Sequence, residues 1–511
     1  MRFINKRYKM GNNVLKSLAG QTAVYGMGTI VPRLLNYLLV PFYVRVFESS
    51  VYGQITDLYA WIAFLLALLT YGMETAFFRF ANKDDANKVF SNIMSCILTT
   101  TGVFLLIYLC FYKSFARLID YQYNTQYVLM IGIIVAMDVI AAVPFAMLRY
   151  ENKAKRFSII KILNVALNIG LNIFFLCVIP ETALKISSSV FGSHSGLLIW
   201  VLISNVLSSL LSLLLLMPQL RMIRFGMDKD LLIPVLKYAI PILMINLVGM
   251  VNEVADKILI KYLVRIPSED VLLAMNMTAE EYAVSQVGIY GANFKLAVLM
   301  SIFIQMFRYA SEPFFFGHAK DKKAPELYAR VMTYFVVFCL FIFLGVMLYI
   351  DIFKYFVGTD GSDYHEGLVI VPCVLMANMF YGIVFNLSIW FKLSDKTFCG
   401  TVISVIGACV TLICLFVLVP RIGYVGAAVA HLACYSVMML VSYFWGQKVF
   451  RIPYQVGRMS FYFFFALGLY YLSTLFVEMN VIVKLSLNTV LLLLFVAVVF
   501  FAERKNPMKI K

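Results

Sequence analysis

Apolar runs of about twenty residues, broken by short polar clusters, recur from one end of this 511-residue chain to the other. A run of that length wound as a helix crosses the hydrocarbon core of a bilayer, about 30 Å thick. Ten-residue segments of alternating polarity, the mark of a membrane barrel, are absent, so the backbone has to be satisfied inside helices. Composition agrees. Hydrophobic residues make up 62% and charged residues 14% of the chain, against roughly 25% charged in soluble proteins. The expected fold class is an all-α polytopic membrane protein.

The runs place fourteen helices at about 19–44, 54–78, 89–112, 125–148, 157–179, 196–217, 232–260, 287–312, 330–350, 367–391, 398–419, 425–446, 459–477 and 484–502. Loop charge orients them. With the N-terminus inside, the inner segments hold 28 of the 43 Lys and Arg residues and the outer segments hold 9. That asymmetry is the positive-inside pattern of an inner-membrane protein, and it sets both termini in the cytoplasm. The basic start (Arg2, Lys6, Arg7, Lys9, Lys16) runs into a long first span with no small-residue cleavage site, so a retained helix is expected and not a secretory signal. The same distribution excludes nucleic acid as a partner: the net charge of +16 lies in clusters between apolar runs.

Other chemistries find little footing. The nine cysteines lie almost wholly inside apolar runs, with no C-x-x-C spacing, and read as small core residues. His194, His318, His365 and His431 are scattered, with no pair at ligand spacing. No metal, cofactor or catalytic constellation is expected. No Gly-rich Lys-Ser/Thr loop is present to cradle a nucleotide phosphate, and the loops are too short for a soluble catalytic domain.

An internal repeat is legible. Segment 52–81, shifted by 238 residues, matches 290–319 at eight of thirty positions: Tyr52/Tyr290, Gly53/Gly291, Leu58/Leu296, Tyr71/Tyr309, Glu74/Glu312, Phe77/Phe315, Phe78/Phe316 and Ala81/Ala319. Both copies start outside and run inward, so the repeat is parallel and relates spans 1–6 to spans 7–12. Such repeats build transporters with the substrate site between the halves. The expected organisation is an N-terminal lobe at 1–225, a C-terminal lobe at 226–450, and two appended helices with a cytoplasmic tail at 451–511.

Ionisable groups in hydrocarbon are costly and face a cavity or a partner. Arg33 follows Pro32 near the middle of span 1 and reads either as a cavity-lining cation or as half of an ion pair. Pro32, and Pro241 in span 7, are expected to bend their helices. Span 7 sets Asn246, Glu253 and Lys257 on one stripe, with Glu253 and Lys257 spaced to pair at i, i+4. Span 8 carries Lys295, Gln305, Arg308 and Glu312, and Arg308 is spaced to pair with Glu312. Lys161, Asn164, Asn168 and Asn172 form a polar stripe on span 5, suited either to helix packing or to a cavity wall. Asp138 in span 4 has no local partner and is the candidate for proton or sodium coupling. Arg33, Lys161, Lys257, Lys295 and Arg308 together would make a cavity basic and fit it for an anionic, phosphate-bearing ligand. The candidate substrate-cavity set is thus these five with Asn168 and Glu253.

Several motifs resemble those of Wzx-type polysaccharide flippases, of the superfamily that holds multidrug and toxin exporters and lipid II flippases. Gly28, Pro32, Arg33, Pro41, Arg45, Tyr52 and Gly53 resemble that family's opening signature, and Met73-Glu74 with Arg79 its second-helix ending. Lys237-Tyr238-Ala239-Ile240-Pro241 with Asp256-Lys257 is similar to the seventh helix, and Val287-Gly288-Ile289-Tyr290 with Pro313-Phe314 to the eighth. Pro420-Arg421-Ile422-Gly423-Tyr424-Val425-Gly426-Ala427-Ala428 is similar to the start of the twelfth. The resemblance implies two six-helix bundles in an exporter-like V shape. It implies an undecaprenyl-diphosphate-linked oligosaccharide as substrate, moved from the inner to the outer leaflet by alternating access under an ion gradient. The implied partners are membrane lipids and the polysaccharide polymerase and chain-length machinery.

A drug and toxin antiporter of the same fold is the alternative for a twelve-span relative, and the two extra spans lean toward polysaccharide or lipid II flippases. A membrane-embedded sugar polymerase would need acid–base or cation-rich outer loops, which are lacking. A channel or scaffold would not need two equivalent halves.

Overall fold

The computed structural model describes residue 28 and residues 30–191, 196–318, 321, 323–394, 396–476 and 479–505. The basic start, most of the first half of the predicted first span, and the end of the C-terminal tail lie outside them. The principal helices are α1 (Val40–Val46), α2 (Ser49–Thr70), α3 (Met73–Ala81), α4 (Ala86–Leu118), α5 (Thr125–Tyr150), α6 (Ala154–Ile173), α7 (Leu198–Leu215), α8 (Lys229–Leu263), α9 (Ala279–Phe294), α10 (Val298–Gly317), α11 (Ala324–Met347), α12 (Val371–Leu387), α13 (Thr397–Val449), α14 (Val456–Thr474) and α15 (Val481–Lys505). No strand occurs among the described residues. Among the described residues, ten helices are long and apolar enough to cross a membrane, or eleven when the bent pair Ala279–Leu296 and Val298–Ser311 counts as one. The chain is a multi-pass helical membrane protein.

Several predicted spans are interrupted where the sequence reading drew them straight. The predicted first span is helical over 30–37 and turns at 38–39, six residues beyond Pro32. The second breaks between α2 and α3 at Tyr71 and Gly72, with φ of 31° and 74°. Gly72 takes the left-handed conformation without a Cβ penalty. The eighth bends by 51° through a 3₁₀ turn at Lys295–Ala297. By contrast, α8 runs as one 35-residue helix through Pro234 and Pro241. Its length exceeds what one crossing needs, and α13, at 53 residues, has room for two. The non-helical dihedrals at Ile422 and Gly423 divide α13, within the Pro420–Gly423 segment.

The chain forms two compact units. Of the described residues, those up to Leu39 and from Asp57 to Met250 make one, and those from Val40 to Thr56 and from Val251 onward the other. In the first unit α5 packs against α4 and α7, and α6 against α7. In the second, α12 lies along α13, and α14 and α15 dock on α11. Polar clamps fix these helices: Asn488 of α15 donates to the Leu348 carbonyl at the end of α11 at 2.7 Å, while Ser473 donating to Asn488 at 2.8 Å and Arg458 and Tyr462 both donating to Glu503 tie α14 to α15.

Also within the second unit, the first turns of α2 meet α9 backbone to backbone. A Cβ on Gly288 would stand 1.9 Å from the Ser49 carbonyl oxygen, and one on Gly53 2.0 Å from that of Val284. Small residues permit such close approach between membrane helices, where packing and not water exclusion drives association. The Tyr-Gly pair that marks the sequence repeat thus sits at this contact in both of its copies.

Candidate functional site

In the first unit the polar residues predicted on separate helices converge. Ser209 of α7 donates to Asp138 of α5 at 2.8 Å. Lys161 of α6 acts on the same carboxylate electrostatically and lies 4.1 Å from the ring centre of Phe145. Asn205 of α7 donates to the Tyr59 hydroxyl at 3.0 Å, joining α2 to the group. Asp138 therefore has partners that the sequence reading did not foresee, because they come from other helices. Arg33 is exposed on its own helix, within electrostatic range of Lys161. Arg149 pairs with Glu74 close by.

The stripe on α6 divides by partner. Asn164 donates to the Ser208 carbonyl at 2.7 Å and to Ser212 at 2.9 Å, so it fastens α6 to α7. Asn172 donates to the Asn168 carbonyl and side chain, at 2.8 and 3.0 Å. Amide groups in hydrocarbon are satisfied across or along helices in this way. A cavity of about 850 Å³ in this unit lies elsewhere, lined by Lys88, Asn92, Arg221, Arg224 and Asp228 among others. None of the sequence-predicted residues lines it.

In the second unit the pairing expected along α8 is corrected. Lys257 does not meet the Glu253 carboxylate. Its ammonium donates to the Glu253 backbone carbonyl at 2.7 Å and to Asp256 Oδ1 at 3.1 Å, and lies 4.3 Å from the ring centre of Phe294. The Glu253 side chain is exposed while Asp256 is buried. The ammonium goes to the carboxylate out of reach of water, where attraction between charges is strongest.

Asp256 is the centre of a group drawn from three helices. Tyr290 of α9 donates to its Oδ2 at 2.5 Å. The Nδ1 of His431, on α13, lies 3.8 Å from the same oxygen. The His431 ring stands edge-on to Phe294 and Tyr435, with centroids 5.3 and 4.9 Å apart. Just beyond, the Asn252 side chain donates to the Ser404 carbonyl and accepts from Thr411. The sequence reading passed over His431, since no spacing along one chain signals a contact between helices 8 and 13. Asp256 was visible as a polar residue of span 7 and in the family-like motif there, and Tyr290 in the eighth-helix motif and the internal repeat.

Among the described residues no hydrogen bond joins Lys295 or Arg308 to this group. Lys295 is exposed at the 3₁₀ turn, where the bend removes the helical-wheel relation between the two. Arg308 lies 5.1 Å from the ring centre of Phe385. The side chain of Glu312, its expected partner, lies outside the described residues. No group of three or more His, Cys, Asp or Glu among the described residues is arranged to hold a metal ion.

No curated protein sequence matches the chain. Among solved structures, the fold is similar to that of the lipid II flippase MurJ in an inward closed conformation, with a TM-score of 0.67 at 14% identity over 94% of this chain and 99% of that one. It is also similar to an inward-facing multidrug resistance MATE family transporter of the MOP superfamily, with a TM-score of 0.58 at 14% identity over 84% of this chain and 97% of the other. An outward-facing MATE transporter gives 0.55 at 16% identity over 85% and 95%. These likenesses establish the exporter fold. The profile of the family described as polysaccharide biosynthesis protein matches residues 18–317. That span exceeds half of the chain, and the protein belongs to the polysaccharide biosynthesis protein family.

Proposed function

We propose that the protein flips an oligosaccharide linked to undecaprenyl diphosphate from the inner to the outer leaflet of a bacterial inner membrane, for the synthesis of surface polysaccharide such as lipopolysaccharide or capsule. The reading rests on one combination: membership of a polysaccharide biosynthesis family, an exporter fold, and basic side chains on membrane-spanning helices of each unit. A carrier of this kind works by alternating access, here driven by an ion gradient. Both termini lie in the cytoplasm, in keeping with the loop charge.

In this account Arg33, Lys161, Lys295, Arg308 and Lys257 meet the diphosphate or acidic sugars, Asn168 and Glu253 meet the glycan, and Asp138 is the coupling carboxylate. Cationic side chains suit a diphosphate because charge-assisted hydrogen bonds to phosphate oxygens outlast competition from water. Residues 1–225 and 226–450 act as the two transport lobes, and 451–511 as an appendage. The likeness to the lipid II flippase extends over 94% of the chain and that to the drug exporter over 84%, which favours a lipid-linked substrate over a small cation. The polymerase and chain-length machinery would receive the product.

The test is cellular. Cells lacking the protein should accumulate lipid-linked oligosaccharide that is sheltered from a membrane-impermeant sugar-oxidising probe, and lose surface glycan. Unchanged surface glycan in such cells would remove the proposal.

A further inference from the structure

The Asp256 group is too elaborate for a simple ion pair. A buried carboxylate in low dielectric needs a neutralising partner. Here one is in place and a second stands close enough to become one. Lys257 supplies an ammonium from the same helix, 3.1 Å away. His431 stands 3.8 Å off on another helix and can hold a proton beside the carboxylate. Tyr290 pins Oδ2 between them. Burial also differs across the group: Asp256 is 2% exposed and His431 4%, while the Lys257 side chain is 16% exposed. The ammonium, on its flexible stem, can leave; the carboxylate and imidazole are held.

Other charged or titratable groups bear on the site as well. Glu253 is exposed one turn before Lys257 on α8, and its charge and that of Lys257 both act on Lys295 after α9. From α13, Cys434 and Tyr435 feel the Asp256 charge. None of these supplies Asp256 with a second cation at contact distance.

We propose that Asp256 and His431 form a proton site linked to the anionic ligand: when Lys257 turns to a diphosphate, a proton taken from water replaces it as the partner of Asp256. This rests on the reading that Lys257 contacts the diphosphate. No covalent bond changes. The ammonium exchanges a carboxylate for a phosphate oxygen, and the proton resides on the carboxyl–imidazole pair, which titrates as one site. Linkage fixes the sign. A ligand whose binding raises the site's proton affinity takes up protons, so its own affinity falls as pH rises. The arrangement spares the membrane interior an unpaired negative charge whenever the ligand is bound.

The full-length protein in lipid nanodiscs, titrated calorimetrically with farnesyl diphosphate at neutral pH in two buffers of different ionisation enthalpy, tests this. The wild type should take up about one proton per diphosphate bound. Asp256→Asn should bind the probe with no uptake, because its amide needs no neutralising. His431→Gln, which leaves the Asp256–Lys257 pair in place, should move the pH at which uptake is half complete. Binding by the wild type without proton uptake, equal uptake by Asp256→Asn, or an unmoved pH profile in His431→Gln would overturn the inference and leave the transport reading standing. Failure of the wild type to bind the probe would remove both.

Discussion

The Lys257 ammonium lies 3.1 Å from the carboxylate of Asp256, its neighbour in the chain, and reaches only the backbone of Glu253 one turn away. Removing one member of a buried pair strands the other, which costs about 3–5 kcal/mol. Asp256→Ala should therefore lower thermal stability in detergent markedly. The double variant Asp256→Asn, Lys257→Met, which leaves no stranded charge, should recover most of that loss. A double variant no more stable than Asp256→Ala would show that the pair is not what holds this group together.

Arg33 and Lys257 stand on different units, and the transport reading gives each a phosphate or acidic sugar to hold. Arg33→Ala and Lys257→Ala should each reduce surface glycan severalfold while the protein remains at wild-type level in the membrane. Quantitative glycan staining beside an immunoblot of the membrane fraction measures both. Normal glycan in both variants would remove the basic-path mechanism.

The contact between α2 and α9 leaves no room for a side chain at Gly288, where an added Cβ would stand 1.9 Å from a carbonyl oxygen. Backbone cannot yield as a flexible side chain can, so Gly288→Val should cost at least about 1–3 kcal/mol, the usual range for overpacking. Gly249, with nothing within 4 Å of its Cβ position, serves as the control. Gly249→Ala should be neutral or slightly stabilising, since glycine inside a helix costs roughly 0.5–1 kcal/mol relative to alanine. Melting temperatures of the two variants decide the matter.

Asp228, in the segment between α7 and α8, pairs with Lys88 at 2.7 Å, and this hydrogen bond holds its carboxyl below the ordinary carboxylate range. A depressed folded-state pKa contributes stability above the unfolded value and loses it as pH falls through the folded one. The gap in melting temperature between wild type and Asp228→Asn should therefore be small, because the pair is exposed, constant across neutral pH, and closed in strong acid. A gap that widens on acidification would contradict the assignment.

The helical membrane architecture was legible because apolar run length and loop charge are properties of each segment alone. The breaks were less so. Tyr71 gives no sign that the backbone turns there, and Lys295 reads as a mid-helix residue although the chain bends beside it. Spacing rules count positions and not burial, and so they joined Glu253 to Lys257 when the ammonium finds the buried Asp256. Partners across helices were illegible in principle. Ser209 beside Asp138, and His431 beside Asp256, lie 71 and 175 positions away. Only packing brings them together, and their side chains carry no local signature of it.

Flipping itself can be watched in liposomes that hold the purified protein and an undecaprenyl-diphosphate oligosaccharide bearing a fluorophore on its sugar. With an ion gradient imposed, a membrane-impermeant quencher added outside should reach the inner-leaflet fluorophore in liposomes with the wild-type protein and leave it untouched in protein-free liposomes. Inner-leaflet fluorescence that stays protected with wild-type protein present would contradict the transport account.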